Sequence, residues 1–437
     1  MKLVLNILSR LKSMPELRKL SGNAFWSIFG TASAKFIVLL AGIACANVLG
    51  TEGFGELGLV RSTVNTFVVL GTAGIGITAT KYIAQHKKSN PDLAQRVFSL
   101  TSCFSLTLGI LISGAVCICA DYICSEYIGH SEIVTSLQIG ALLIFVTIIN
   151  SVVSGALAGF ENFKAIAGNT FISSVVESGF IVTGAYYYGA WGAILGFSLG
   201  IGILLILNLV SLSKSFSAHG LSFFNFHFCR EDWRILVSFS LPAALSSLLV
   251  APSYWVVRTM LARFNGLSEL GIYEAADQWR VIILFVPAAL SNIVMPSLAR
   301  HVHSTQIGEY KRMLKLNLII NGLVSSALSL IVILCSSYLM LIYGDGFEDS
   351  SILILVALST VFSSIATVVG VSIMSRGRVW IGFAYNLLWS CMFVGGTYLF
   401  LSLGYGAIGL AWALVISYAL HTIIQSIYLY NILRKYE

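Results

Sequence analysis

Charge is what this sequence has least of: Asp, Glu, Lys and Arg make up 10% of its 437 residues, against 57% apolar ones, where a water-soluble domain carries about 25% charge. That scarcity excludes a soluble globule. Proline is scarce as well, six in the whole chain, so little interrupts long helices. The eight cysteines show no paired CxxC spacing, which argues against disulfides and metal and leaves them as small residues of the packed interior. A Walker phosphate loop, an HExxH pair and a nucleophile elbow are all missing. The seven histidines are scattered, with no metal-ligand spacing. Between the apolar runs no loop exceeds about twenty residues, which leaves no room for the catalytic loop that a glycan polymerase or ligase needs.

What the chain does have is hydrophobic length. Its mean hydropathy is +0.87, and apolar runs lie at roughly 23 to 49, 56 to 80, 97 to 120, 135 to 158, 165 to 188 and 191 to 212, each near the ~20 residues that cross a bilayer. A second set lies at roughly 235 to 262, 272 to 298, 314 to 342, 351 to 374, 379 to 402 and 406 to 431. These predict an all-α integral membrane protein of about twelve transmembrane helices. The net charge of +7 does not call for nucleic acid as a partner, because the basic residues cluster in alternate loops. Lys87, Lys88, Lys164, Lys214, Lys311, Arg312, Arg376 and Arg378 share one side, while Glu52, Glu56, Asp121, Glu132, Glu269, Asp345 and Glu348 share the other. The positive-inside rule then places both termini in the cytoplasm of a multi-pass protein of the bacterial cytoplasmic (inner) membrane. Residues 1 to 20 place Val4, Ile7, Leu8, Leu11 and Met14 at helical spacing among Lys2, Arg10, Lys12, Arg18 and Lys19. That segment reads as a basic amphipathic helix on the membrane face or as a basic tail, and not as a cleaved signal.

The chain also repeats itself at a displacement of about 216 residues. Gly50 and Gly55 match Gly266 and Gly271, Asn169 matches Asn386, and Tyr188-Gly189-Ala190 is echoed by Tyr405-Gly406-Ala407. An even number of helices per repeat gives both halves one orientation, about an axis along the membrane normal. The expectation is two pseudo-symmetric six-helix lobes, 21–213 and 235–437, around a central cavity, joined by a cytoplasmic linker at 214–234.

Against this background the charges inside apolar runs stand out. Lys35, Arg61, Arg258 and Arg280 fall at membrane depth, with Glu177 and Asp277 as the anions counted there. A base facing lipid at mid-membrane costs about 3 kcal/mol, so these side chains face a wet cavity or a partner. Two readings stand side by side: the pairs Lys35 with Glu177 and Arg280 with Asp277, or a cavity with surplus positive charge that favours an anionic substrate group. Lys35, Arg61 and Arg280 are the stronger candidates for such binding, because Arg258 lies close enough to the outer end to snorkel. Glu177 and Asp277 are the candidates for ion coupling, by sodium or protons. Trp255 and Trp279, beside the two arginines, either offer faces to a sugar ring or pack at the membrane interface. Pro242, Pro252, Pro287 and Pro296 fall in the same pair of helices and permit bends there.

The segments LGTEGFGELGLV (Leu49 to Val60), GALAGFENFKAIAGN (Gly155 to Asn169), YYGAWGAILG (Tyr187 to Gly196) and FSLPAALSSLL (Phe239 to Leu249), followed by GIYEAADQW (Gly271 to Trp279), carry a resemblance that runs from about Ser21 onward. In order and spacing they resemble the polysaccharide transporter (O-antigen flippase) branch of the multidrug, oligosaccharidyl-lipid and polysaccharide exporter superfamily. The resemblance implies an alternating-access flippase, not an enzyme, which carries an undecaprenyl-diphosphate-linked oligosaccharide across the cytoplasmic membrane for surface polysaccharide such as O-antigen. It implies membrane lipid, the lipid-linked oligosaccharide and polysaccharide-assembly proteins as partners, and no cofactor. A multidrug exporter of the same superfamily would need buried carboxylates in excess, and a non-transporting scaffold would have no charged cleft.

Overall fold

The computed structural model describes residues 15–72, 74–220, 249–301 and 307–434. Most of the N-terminal basic segment, the linker beyond Gly220 and Pro242 lie outside them. The described residues are almost all helical, with no strand among them, and the main helices are α1 (Pro15–Thr72), α2 (Ile75–His86), α3 (Pro91–Ile118), α4 (Val134–Gly159), α5 (Phe163–Ala218), α6 (Val250–Asn265), α7 (Leu267–His301), α8 (Ile307–Leu334), α9 (Ser351–Ser375), α10 (Val379–Ser402) and α11 (Gly406–Arg434). Among the described residues, eight helices are long and apolar enough to cross a membrane. Two of these are double. α1 breaks at Gly50 (φ 67°, ψ −175°) and α5 at Gly189 (φ 69°, ψ −151°), a left-handed backbone that a side chain would strain. With both legs of each counted, and α6 and α7 added, the bundle has about twelve crossings.

Small residues let these legs pack closely. Across the α5 turn, Gly184 lies against the carbonyl of Gly192, Gly196 against that of Phe180, and Gly200 against the side chain of Glu177. Lipid is as apolar as leucine, so close backbone approach and polar bonds hold membrane helices together where hydrophobic burial cannot. Asparagines supply such bonds in the first half: Asn169 donates to Asn208 (2.9 Å) and Ser211 (3.0 Å), and Asn208 donates to Asn150 (2.9 Å). They tie α4 to both legs of α5. The outward surface is apolar, with Ile118, Leu334, Tyr338 and Trp380 exposed. That is the surface acyl chains require. Five cysteines expected in the interior (Cys103, Cys117, Cys119, Cys335 and Cys391) are instead exposed, and only Cys45 and Cys124 are buried among those described. Apolarity alone does not distinguish a lipid-facing position from a core one.

The two halves meet at one end. Gly55 packs against the carbonyl of Leu267 and the amide of Gly271, and Gly271 packs against the carbonyl of Thr51 and the amide of Gly55. Each position is 216 residues from its counterpart, and reciprocal contact of this kind is the local signature of a two-fold axis. Gly266, the counterpart of Gly50, has the same backbone conformation (φ 89°, ψ 170°). One apolar core at this end takes residues from both halves, including Phe54, Leu57, Leu261, Tyr273, Tyr343 and Phe347. Away from it the cores separate, one built on Ile75, Ile83, Phe98, Phe160 and Phe216, the other on Tyr310, Leu314, Ile373 and Leu429. The described residues therefore form a wedge, joined at the Gly50/Gly266 end and parted at the other.

A side chain at the seam has nowhere to go except between the lobes. Gly55→Val is expected to prise this end apart, since overpacking costs about 1–3 kcal/mol, and Gly271→Val should do the same from the other side. A cysteine at Leu57, buried in the parent, then becomes reactive to a water-soluble maleimide. Unchanged labelling in both variants would remove the seam as a gate.

Candidate functional site: a charged cavity between the lobes

Between the lobes lies a cavity of about 660 Å³. The second leg of α1 contributes Phe54, Gly58, Arg61, Ser62 and Asn65, α4 contributes Thr147, and the second leg of α5 contributes Phe197 and Ile201. From the other lobe come Tyr254 and Arg258 on α6 and Glu274, Asp277, Gln278 and Arg280 on α7. Arg61 and Asn65, one helical turn apart, both face this space.

The arginines of the second lobe are spoken for. Arg258 donates through Nε to Glu274, through Nη2 to Asp277 Oδ2 (2.9 Å) and through Nη1 to the Tyr254 carbonyl (3.4 Å). Arg280 donates through Nε and Nη2 to Asp277 and through Nη1 to the Tyr254 hydroxyl (3.0 Å). The Tyr254 ring lies under both guanidinium groups, with centroid distances of 5.4 Å for Arg258 and 4.7 Å for Arg280. Its hydroxyl continues to that of Tyr418 at 3.1 Å. Two bases and two acids thus alternate in one buried network across α6 and α7.

Glu274 is a correction to the count of anions made from sequence. It sits one turn before Asp277, inside the apolar run at 272 to 298, yet only Asp277 is counted there from sequence. In the fold its side chain reaches inward because Gly58 opposite leaves room for it. Gly58 and Glu274 are themselves 216 apart.

Arg61 differs from the other two. Its guanidinium stacks on Phe197 at 5.0 Å, and no carboxylate among the described residues comes within ion-pair distance of it. Glu177, which feels its charge, is buried at 4% exposure on the first leg of α5. There it faces Gly200 and not the cavity. Three arginines thus meet two carboxylates along the described cavity wall, and the surplus positive charge is Arg61's. A cation in so low a dielectric, with donors to spare, suits a phosphate oxygen.

The remaining candidates lie elsewhere. Lys35 is half-buried on the first leg of α1 with its ammonium 6.0 Å from the centroid of the Phe285 ring on α7. The pairing with Glu177, one of the two readings the sequence left open, is not formed. Trp255 donates from Nε1 to Thr63 Oγ1 at 3.0 Å, which bonds one lobe to the other, and Trp279 packs on the shared core. Neither lines the cavity, so the aromatic surfaces available there are Phe54, Phe197 and Tyr254. Helical position gives depth in the membrane but not which neighbour a face meets.

Two bundles joined at one end around a charged cavity give this chain the fold seen in MATE family transporters. The fold superposes on the inward-facing conformation of a multidrug resistance MATE family transporter of the MOP superfamily, with a TM-score of 0.76 at 16% identity over 92% of this chain and 95% of that one. The polysaccharide biosynthesis protein family matches residues 20–302, and the chain belongs to that family. Relatives include the EPS I polysaccharide export inner membrane protein EpsE of Ralstonia solanacearum, 28% identical over 208 residues, 45% of this chain and 46% of that protein. Another is a putative O-antigen transporter of Shigella flexneri, 22% identical over 367 residues, 82% of this chain and 85% of that protein. The chain spans about half the length of the EpsE relatives it matches, 46% in each case.

Proposed function

We propose that the chain is a flippase that carries an undecaprenyl-diphosphate-linked oligosaccharide from the cytoplasmic to the periplasmic leaflet by alternating access. The observation that carries this reading is Arg61, in a cavity shared by two lobes, with no ion-pair partner among the described residues. The diphosphate supplies the charge that the cavity lacks, and the sugars occupy its neutral polar wall of Ser62, Asn65, Thr147 and Gln278. The lipid tail remains in the bilayer, outside the parted lobes. The names of the relatives support export of a polysaccharide precursor. A flippase-deficient strain supplied with this chain should regain surface glycan; failure with every lipid-linked glycan tried, at normal insertion, would count against the reading.

The direction of transport requires an orientation. Both termini are cytoplasmic, and the Gly50/Gly266 end is periplasmic. Single cysteines near Glu56, Asp345 and Gly404 are then expected to react with an impermeant maleimide added to whole cells. Those near Lys87 and Arg376 should react only after the membrane is opened. The opposite pattern would invert the proposed cycle.

A further inference from the structure

The joined end holds a contact that the transport reading does not use. The turn after α3 belongs to the first lobe, yet it seats on the last turn of α6 in the second. There the Arg263 side chain donates to the carbonyls of Glu126 (2.8 Å) and Tyr127 (3.4 Å) and packs its methylenes on Gly129. His130 of the same turn lies with Nδ1 2.6 Å from Glu132 Oε1 and Nε2 3.1 Å from the carbonyl of Ala262. Both neighbours are acceptors. A carbonyl never donates, and a carboxylate donates only if it holds the shared proton itself, so the two contacts together require one proton more than a neutral imidazole and an ionised carboxylate possess.

We propose that His130 is a proton-operated latch between the lobes, closed when the His130–Glu132 pair holds that proton and weakened when it is lost. Once the proton leaves, the imidazole has a single N–H for two acceptors and must release the carboxylate or the other lobe. The Ala262 carbonyl lies in the last turn of α6, where the helix dipole favours a cation, and only the joined state offers this acceptor to the Nε2 proton. Reciprocity then makes acid favour joining. Of the charged groups on this turn and the elements against it, Glu132 is beside His130, Glu56 and Glu52 of α1 lie near that carboxylate, and Asp121 lies near Cys124 of the same turn. All belong to the first lobe and act alike in both states, while Arg263 of the second lobe opposes the proton with a charge partly spent on the Glu126 and Tyr127 carbonyls. The histidine side chain is 20% exposed, so solvent on that face reaches it. Histidine is the side chain that changes charge between about pH 5 and 8. On the proposed orientation that solvent is periplasmic, and a proton arriving from outside closes the outer end and returns the carrier to its loading state.

The latch rests on alternating access but not on the substrate, and its test uses the empty full-length chain in lipid vesicles. Spin labels are placed at Tyr187 on the first lobe and Leu403 on the second, both exposed at the joined end, with the other exposed cysteines changed to serine. Between about pH 8.5 and 5.5 the ratio of short to long distances is expected to rise about tenfold, the worth of one charge-assisted hydrogen bond. His130→Gln should flatten that response. Glu132→Gln, at an exposed carboxylate, should move its midpoint to lower pH, and it carries the test if His130→Gln does not fold. A parent without pH dependence, a His130→Gln protein that responds like the parent, or an unmoved midpoint in Glu132→Gln would each overturn the latch. None of these results would touch the surface-glycan test of the flippase reading.

Discussion

Arg61→Ala is expected to insert, fold and accumulate like the parent, yet to leave a flippase-deficient strain without surface glycan. No carboxylate among the described residues forms an ion pair with Arg61, so its removal breaks no salt bridge; Glu177 loses a nearby positive charge and Phe197 a stacking partner. What disappears is the surplus charge of the cavity. A guanidinium that grips a diphosphate makes charge-assisted hydrogen bonds of about 1.5–3 kcal/mol each, and two of them correspond to a hundredfold or more in affinity. Arg61→Lys keeps the charge but not the planar fork, so it should retain part of the activity. Arg61→Glu should retain none. Surface glycan, measured beside the amount of inserted protein, checks all three. If Arg61→Glu restores glycan at the parental level, the cavity does not bind its substrate through this residue.

Arg280→Ala should fail differently. From depth alone Arg280 has the same standing as Arg61, but its guanidinium is held by Asp277 and the Tyr254 hydroxyl. Its loss leaves Arg258 facing two carboxylates, and Asp277→Asn leaves Arg258 on Glu274 but Arg280 with no carboxylate partner. Removing one partner of a buried pair costs about 3–5 kcal/mol, a large part of the 5–15 kcal/mol that a typical domain has. Both single variants are therefore expected to accumulate poorly and to melt early in detergent. The double replacement Arg280→Met with Asp277→Leu leaves the Arg258–Glu274 pair intact and removes both charges together. It should recover most of the lost stability, because neutral substitutes for a buried pair are often tolerated. Should Arg280→Ala be as stable as the parent and defective only in transport, Arg280 would belong to the substrate after all.

The contrast between these two arginines marks how far the sequence reaches. Hydropathy and loop charge make the class, the approximate number of helices and the depth of each buried charge legible, because a bilayer imposes all three on composition. The Arg280–Asp277 pair is legible too, since three residues on a helix bring two side chains together. Partnership across helices is not. Arg258 and Glu274 lie on different helices, and only packing shows that Gly58 clears the space between α1 and α7. Trp255 is a similar case: depth leaves a sugar platform and packing both open, and only the lobe contact shows the indole turned to Thr63. The repeat made Gly55 and Gly271 equivalent, but equivalence does not say that they touch.

That touch has a mechanical meaning. Where side chains interlock, two bodies cannot rock without lifting knobs from holes and resetting rotamers, and each reset adds to the barrier. At Thr51–Gly55 and Leu267–Gly271 the surfaces that meet are bare main chain on both sides of a two-fold axis. At that line they behave as a plain bearing, so the resistance to opening comes from what surrounds it: the apolar core shared by both halves and separate polar fasteners. The Trp255–Thr63 bond is one, and the Asn47 amide on the carbonyl of Ile342, at 2.8 Å, is another. The pivot sets the direction of motion, and the shared core and the fasteners set its rate.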